Sequence, residues 1–140
     1  MIDNILAAVD LDDKMLCERI LGVTADLAKL KDAKVTLIHI ASDIPPNAAI
    51  QLPDDYLERT ANEVVMQLGE LAEGLGIPTA DVSIVVRFGS VYREVLAQAK
   101  SDASNLIVIG CHTPDLADYL LGPNAARVVR HASCSVFVVR

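Results

Sequence analysis

The carboxyl-terminal stretch decides the fold: LIVIGCHTPDLADYLLGPNAARVVRHASCSVFVVR, from Leu106 to Arg140. Its first apolar run, residues 106–109, predicts a buried strand that leads into Gly110. After a polar loop, Gly122-Pro123-Asn124 opens a helix predicted over 123–131, and a second apolar run predicts a strand over 135–139. A strand, a helix and a further strand in this order are typical of a parallel βαβ unit.

The same alternation continues outward to the first residues of the chain. Further strands are predicted over 5–9, 35–41 and 82–87, and further helices over 13–31, 54–75 and 91–100. Residues 42–53 include three prolines and are interpreted as a long loop that acts as a flap. The pattern predicts a single α/β domain over residues 1–140, with a parallel sheet covered by helices on both faces.

Spacing within the two long helices predicts which side chains are buried. The apolar residues of helix 13–31 recur at helical intervals, and the expected buried stripe is Leu16, Ile20, Val23, Leu27 and Leu30. Asp12 or Asp13 is expected to cap this helix. In helix 54–75 the corresponding stripe is Leu57, Val64, Leu68, Leu71 and Leu75.

Composition narrows the class of protein. The 140 residues are 52% hydrophobic, which suits one globular domain, and no apolar run is long enough to span a bilayer. Because the first residues also lack the basic and apolar regions of a signal peptide, a cytoplasmic protein is expected, with no membrane partner. The net charge of −7 with only 12 Lys and Arg argues against nucleic acid as a partner.

Signatures of catalysis and of metal binding are missing from the sequence. The Cys and His residues are not clustered at ligand spacing, so no metal site is predicted. No Ser or Cys is placed with a His and a carboxylate in a known nucleophile motif, and no catalytic residue is assigned. The P-loop and the dinucleotide fingerprint are also absent. Slow or absent turnover is therefore the expectation.

The glycines of the carboxyl-terminal stretch indicate a phosphate site that needs no lysine. Gly110 at a strand end and Gly122 at a helix start allow the backbone to approach a bound group closely. The helix after Gly122 adds N–H groups and a partial positive charge. Ligands of parallel sheets bind beyond the carboxyl ends of the strands, where the strand order reverses.

The same stretch resembles the universal stress protein family. The usual tail of that family is Gly-x-x-Gly, nine residues, then Gly-Ser, a helix ending in Arg-His-Ala and a Cys-x-Val-x-Val-Val strand. The wording Tyr-Leu-Leu-Gly-x-Asn-Ala is similar to the bacterial F/G-type branch. The resemblance implies a Rossmann-like fold of the adenine nucleotide alpha hydrolase-like type, with strand order 3-2-1-4-5. It also implies ATP or another adenine nucleotide as the ligand, with Mg as its accompanying ion, and a role in stress response.

The resemblance assigns site residues at the ends of strands 1, 2 and 4 and around the last helix. Asp10 follows the Ile-Leu-x-x-Val-Asp match and would hold the base and sugar; from its position alone, a helix cap is an equal interpretation. The remaining predicted nucleotide-binding residues are Ala8, Val9, Ile40, Ile109, Gly110, His112, Thr113, Gly122, Pro123 and Asn124. His39 is interpreted as a satisfied strand histidine.

Three departures from the family pattern leave two functions open. Thr113 replaces the second Gly, the spacer to Gly122 is one residue shorter, and Pro123 replaces Ser. Pro123 lacks both the N–H and the hydroxyl that a phosphate would use, although proline also suits the first position of a helix. The alternative is therefore a family member without nucleotide binding that acts as a dimeric interaction module. In either case a homodimer is predicted through the unprotected apolar strand Val136, Phe137, Val138 and Val139.

Overall fold

The computed structural model of the chain describes residues 1–42, 46–111 and 122–140. Its elements alternate along the chain, and they are β1 Asn4–Ala8, α1 Lys14–Lys31, β2 Lys34–Ala41, α2 Pro46–Ala49, α3 Tyr56–Glu73, β3 Val82–Phe88, α4 Val91–Ser101, β4 Leu106–Gly110, α5 Pro123–His131 and β5 Ser135–Val139. A single 3-10 turn, Thr79–Asp81, precedes β3. No helix within the three described ranges is long and apolar enough to cross a bilayer.

The five strands form one parallel sheet in the order β3-β2-β1-β4-β5. The predicted fold class and strand order are therefore confirmed. From β1 the chain proceeds to β2 on one side and, after β3, to β4 on the other side, so the direction of winding reverses between β1 and β4. All carboxyl ends lie at the same edge of the sheet, and this reversal opens a crevice there.

Each face of the sheet carries its own apolar core. Helices α1 and α3 pack on one face, over inward residues such as Ile5, Leu37 and Val108. Helices α4 and α5 pack on the other face, over Leu6 and Ile107 among others. The central strands are buried from both sides, which explains their continuous Val, Ile, Leu and Ala composition.

Helix α1 begins at a capping carboxylate and buries a stripe that differs in part from the prediction. The side chain of Asp13 accepts a hydrogen bond from the Leu16 N–H at 3.1 Å, so Asp13 is the cap. Leu30 was expected to be buried but is 75% exposed, whereas Thr24 and Ala28 are buried. Two residues turn a helix by roughly 200°, so Leu30 points away when Ala28 faces the sheet. The small residues let the helix approach the strands closely.

Helix α3 and the segment before it also differ from the prediction. Leu57, in the first turn of the helix and expected in the buried stripe, is 48% exposed, whereas Val64, Leu68 and Leu75 are buried as expected. The predicted loop 42–53 contains the four-residue helix α2. The interpretation of that loop as a flap stays a prediction, and its residues 43–45 lie outside the described part of the chain.

Polar contacts fix α4 against the edge strand. The Arg87 guanidinium in β3 donates from Nε to Gln98 Oε1 at 2.8 Å and pairs with Glu94 at 2.9 Å. Gln98 is buried and its amide nitrogen donates in turn to Asp102 at 2.7 Å. These contacts hold the start of α4 near the carboxyl edge of the sheet, where Val91 reaches the crevice.

Candidate functional site

A cavity of about 210 Å³ opens at the carboxyl edge of the sheet, between β1 and β4. Its walls come from the ends of three strands, from the turn after β1 and from three helices. The strand ends and the turn supply Ala8, Val9, Asp10, Asp12, Ile38, His39, Ile40, Ser42, Ile109 and Gly110, and the helices supply Leu16, Ile20, Val91 and Asn124. The described cavity therefore coincides with the reversal of strand order.

One side of the cavity, which we call the β2 side, consists of the ends of β1 and β2. The Val9 N–H donates to the Ile38 carbonyl at 2.9 Å, and His39 Nδ1 lies 3.1 Å from the Val9 carbonyl oxygen. Because that oxygen can only accept, Nδ1 carries the proton in this contact. His39 is thus a satisfied strand histidine, as predicted, and it fixes the peptide of Val9 at the cavity wall.

The same side presents backbone polar groups to the cavity. Strand β2 pairs with β1 as far as Ile38 and then continues to Ala41. Since the Ile38 carbonyl faces β1, and alternate residues of a strand direct their polar groups to the same side, those of Ile40 face the space beyond β1. A planar ring in this space would meet an N–H donor and a carbonyl acceptor at hydrogen-bonding spacing.

Asp10 closes the turn between β1 and α1. Its Oδ1 accepts a hydrogen bond from the Asp12 N–H at 2.9 Å, and its carbonyl accepts from the Asp13 N–H at 3.2 Å. This arrangement is an Asx-type turn, in which a carboxylate replaces a backbone acceptor. Asp10 is therefore not the helix cap, and its half-buried carboxylate lines the cavity. Its predicted role toward a ribose or base stays a prediction.

The opposite side of the cavity, which we call the α5 side, contains Gly110 and the beginning of α5. A Cβ placed on Gly110 would lie 2.6 Å from Leu16 Cδ2 and 2.7 Å from Leu16 Cγ. The absence of a side chain at Gly110 is therefore required by the packing of α1, in addition to any approach of a ligand. Leu16 and Gly110 together form the floor of the cavity.

Proline occupies the first position of α5. Gly122 precedes it with φ 77°, a conformation that suits glycine, and its carbonyl accepts from the Ala126 N–H at 3.1 Å. The exposed Pro123 starts the helix, as its alternative interpretation predicts. Asn124 lines the cavity, whereas Gly122 and Pro123 lie outside its lining. The predicted residues His112 and Thr113 lie outside the described part of the chain.

The described lining of the cavity has acidic side chains and no lysine or arginine. Asp10 and Asp12 supply its carboxylates. On α5, the guanidinium carbon of Arg127 lies 4.9 Å from the centroid of the Tyr92 ring, which is the geometry of a cation–π contact between α5 and α4. This arginine is thus held against an aromatic ring outside the lining.

The surroundings of Cys17 and Cys134 make both thiols unreactive. Burial, and secondarily the carboxylate of Asp10, raises the pKa of Cys17, and burial likewise raises the pKa of Cys134. Both thiols therefore stay protonated at neutral pH, as expected of structural cysteines. Cys111 is buried after β4, and its N–H donates to the Val139 carbonyl at 2.8 Å.

The structure adds lining residues that the sequence reasoning missed. Ser42 and Asp12 bring polar side chains, and Leu16 and Val91 bring apolar ones. Ser42 is the first residue after β2, so the rule that ligands bind beyond strand ends would have found it. Leu16 and Val91 carry no such signal, because their periodicity indicates burial without indicating which strand end they cover.

The fold defines a Rossmann-like α/β protein, with a cavity at the reversal of strand order. The model of the Universal stress protein family matches residues 1–140, and the chain belongs to that family. Universal stress protein G of Escherichia coli O157:H7 is 30% identical over 149 residues, with both chains covered in full. The resemblance to the F/G-type branch is thereby supported.

Solved structures of similar fold include members of this family. The universal stress protein UspA from Lactobacillus plantarum has a TM-score of 0.79 at 22% identity, with 99% of this chain and 97% of that chain covered. The universal stress protein from Archaeoglobus fulgidus in complex with dAMP has a TM-score of 0.69 at 20% identity, with both chains fully covered. A universal stress protein in complex with cAMP has a TM-score of 0.70 at 17% identity, with 99% and 97% covered.

Proposed function

We propose that the chain is a cytoplasmic stress-response protein that binds an adenine nucleotide in the cavity between β1 and β4. The observation that carries the proposal is the β2 side, where the polar backbone groups of Ile40 face a cavity with the apolar walls Ala8 and Ile38. Adenine is planar and has a donor and an acceptor on one edge, so it suits such a wall. The structures with cAMP and dAMP are family members of the same fold, and both ligands are adenine nucleotides.

Asp10 is the proposed contact for the ribose. Carboxylates accept hydrogen bonds from hydroxyl groups, and Asp10 lies beside the β2 side at the turn after β1. Ile109 and Gly110 would adjoin the sugar, and Asn124 would be nearest the phosphate. Mg, if a triphosphate is bound, would be held by phosphate oxygens with Asp10 or Asp12, because within the described ranges no group of three ligating side chains is present.

The first test is the nucleotide itself. Mass spectrometry of material released from freshly purified protein is expected to show an adenine nucleotide, and titration calorimetry is expected to show binding to the emptied protein. Asp10→Ala should weaken AMP binding about ten- to hundredfold, since a hydrogen bond to a charged group contributes about 1.5–3 kcal/mol.

Two further variants separate recognition from folding of the turn. Asp10→Asn keeps an oxygen that can accept from the Asp12 N–H, so it should preserve the turn while removing the charge. Asp26→Ala, on an exposed position of α1, is the control. Equal nucleotide affinities for wild type and both Asp10 variants would show that Asp10 does not contact the nucleotide. If no adenine compound binds, the proposal as a whole is contradicted.

Pro123 supports the alternative function, a dimeric interaction module without nucleotide. It removes an N–H from the helix start that would otherwise face an anion, and Asn124 is then the first residue of α5 to line the cavity. The alternative predicts no nucleotide in purified protein and no calorimetric signal, with the dimer unaffected by adenine compounds.

The proposed dimer forms through β5. This strand pairs with β4 on one side, and its residues Val136, Val138 and the 43% exposed Phe137 leave an apolar edge without lysine or proline. Two copies related by a twofold axis could pair these edges in an antiparallel sense. Phe137→Lys should convert the dimer to a monomer in sedimentation experiments, whereas Met66→Lys, at a 70% exposed position of α3, should not. A monomeric wild type at tens of micromolar would refute the dimer.

A further inference from the structure

The charges of the helices are distributed unevenly around the sheet. The chain has a net charge of −7, and α3, on one face of the sheet, carries four glutamates and a single arginine. On the other face, α4 and α5 carry one carboxylate between them, Glu94, which pairs with Arg87 of β3 at 2.9 Å. The basic residues of these two helices are Arg93, Lys100, Arg127 and Arg130. The surface of α4 and α5 is therefore a positively charged region of an acidic protein.

The four basic side chains project from neighbouring sides of the two helices. All four are exposed. Arg93 and Lys100 are two helical turns apart on α4, and Arg127 and Arg130 are about one turn apart on α5, so each pair lies on one side of its helix. Because α4 and α5 pack beside each other on the same face of the sheet, the two pairs border a common surface.

Two half-buried side chains of α4 form the floor of this surface. Tyr92 and Leu96 are one helical turn apart, and both pack against the core beneath α4 and α5. The guanidinium carbon of Arg127 lies 4.9 Å from the centroid of the Tyr92 ring, so this side of α4 is directed toward α5. The floor is apolar and the rim is basic. We call the surface formed by these residues the α4–α5 face, and it consists of Tyr92, Arg93, Leu96, Lys100, Arg127 and Arg130.

Tyr92 holds two of these arginines in place. Its hydroxyl oxygen accepts a hydrogen bond from Arg93 Nε at 3.0 Å, and Arg127 makes a cation–π contact with its ring. The hydrogen bond from Arg93, together with the positive charges of Arg93 and Arg127, lowers the pKa of Tyr92. The first contact uses one N–H of Arg93 and the second needs no hydrogen-bond acceptor, so N–H groups of both arginines remain for a partner. Arginines that are already held lose less conformational freedom when they pair with carboxylates.

We infer that the α4–α5 face is a docking surface for a segment of another protein that combines carboxylates with apolar side chains. The carboxylates would pair with Arg93 and Arg127, and the apolar side chains would cover Tyr92 and Leu96. Arginine and tyrosine are enriched in protein interfaces and dominate their binding energy. A nucleic acid suits the face less well, because a long polyanion would extend beyond it over an acidic molecule. The inference does not depend on nucleotide binding.

The test uses the full-length chain and two short synthetic peptides. In the first peptide glutamate alternates with leucine and glycine, and in the second glutamine replaces every glutamate. In NMR titrations of isotope-labelled protein, the first peptide should shift amide signals of α4 and α5 and leave those of α3 unchanged. It should bind about tenfold or more tightly than the glutamine peptide. Added salt should weaken its binding, because salt screens the attraction between exposed charges.

A matched pair of double variants connects binding to the two arginines. Arg93→Gln combined with Arg127→Gln removes two charges from the α4–α5 face and should weaken binding of the first peptide about tenfold, which corresponds to two exposed charge pairs. Lys31→Gln combined with Lys34→Gln removes the same charge at exposed positions where α1 ends and β2 begins, and it should leave the affinity nearly unchanged. Thermal unfolding of both double variants checks that each is folded.

Four outcomes would overturn the inference. The first is that the glutamate peptide shifts no signal of α4 and α5, or that the glutamine peptide binds as tightly. The second is an equal loss of affinity in the Lys31 and Lys34 double variant, which would indicate attraction by net charge alone. The third is tighter binding of a single-stranded DNA oligonucleotide at the same signals, which would make nucleic acid the partner. The fourth is a shift of these signals with protein concentration alone, which would make the partner a second copy of the chain.

Discussion

The β2 side and the α5 side of the cavity are built differently. The β2 side consists of paired strand ends whose hydrogen bonds, such as Val9 N–H to the Ile38 carbonyl, also complete the sheet. The α5 side consists of Gly110, where Leu16 of α1 leaves no room for a side chain, and of α5, a helix that begins with proline. The first side is determined by the fold as a whole. The second depends on a few residues that can change without loss of the fold, and this is where the sequence departs from the family pattern.

The largest expected effect is on the β2 side. Ile38 is fully buried under α4, so Ile38→Ala should lower the free energy of unfolding by about 2–5 kcal/mol through lost contacts and a cavity. Pro123→Ala on the α5 side should lower it by only about 0.4–1 kcal/mol, the entropic effect of a proline in the unfolded chain. Urea denaturation measures both. Equal losses of unfolding free energy in the two variants would show that the two sides contribute equally to the stability of the fold.

The next effect concerns affinity on the α5 side. Pro123→Ser restores an N–H and a hydroxyl at the helix start, and one charge-assisted bond of about 1.5–3 kcal/mol would tighten ATP binding roughly ten- to hundredfold. Adenosine, which has no phosphate, should gain less. Pro123→Ala restores only the N–H and should give an intermediate result. If both ligands change equally in calorimetry, or if ATP does not change, Gly122-Pro123-Asn124 serves only as a helix start.

A smaller effect on stability is expected at Gly110 and Leu16, which form the floor of the cavity. Gly110→Ala places a Cβ within 2.6–2.9 Å of three Leu16 side-chain atoms, so the Leu16 side chain must move and the free energy of unfolding should fall by about 1–3 kcal/mol. The same change at Gly22, which has nothing within 4 Å and lies in a helix, should instead stabilise the protein by about 0.5–1 kcal/mol. Truncation of Leu16 in the Gly110→Ala background should recover part of the loss. Additive losses in that double mutant would contradict the contact.

The smallest predicted effect is at the cap of α1. Asp13→Ala removes the acceptor for the Leu16 N–H and should cost about 0.5–2 kcal/mol of unfolding free energy. Asp26→Ala, at an exposed position in the interior of the same helix, should change stability by about 0.5 kcal/mol or less. Thermal unfolding in parallel distinguishes them. A similar shift for both variants would mean that loss of charge, and not of the cap, determines the result.

Sequence reasoning predicted most of the fold because α/β proteins repeat simple patterns. The bounds of α5 and β5 agree with the prediction residue for residue, since proline begins the first and an apolar run defines the second. The prediction was wrong where the buried face of a helix depends on how closely the helix packs on the sheet. In α1 the small residues Thr24 and Ala28 face the sheet, whereas the larger Leu30 is exposed. Helix α2 was missed because four residues are too few for a periodic pattern.

The sequence predicted the position of the cavity but only some of the residues that line it. The family resemblance assigned Ala8, Val9, Ile40 and Ile109, and the rule for strand ends located Asp10 and Gly110; all six line the cavity. That rule could not show that Gly110 is required by Leu16, because contact between a strand end and a helix in another part of the chain has no local signal. Nor could motif resemblance show that Asn124, and not Gly122 or Pro123, lines the cavity.

The position of β1 in the sheet has a consequence for how binding can be observed. Residues 5–7 are bonded to strands on both sides and are almost fully inaccessible, so their amides should exchange with deuterium only through global unfolding. Three residues later, at Asp10, the chain leaves the sheet and lines the open cavity. One short peptide from this region thus contains both amides that report global unfolding and positions that a ligand would protect locally. Slower exchange at residues 5–7 would report the rise in overall stability that binding produces, whereas slower exchange beyond Val9 would report occupancy of the cavity itself.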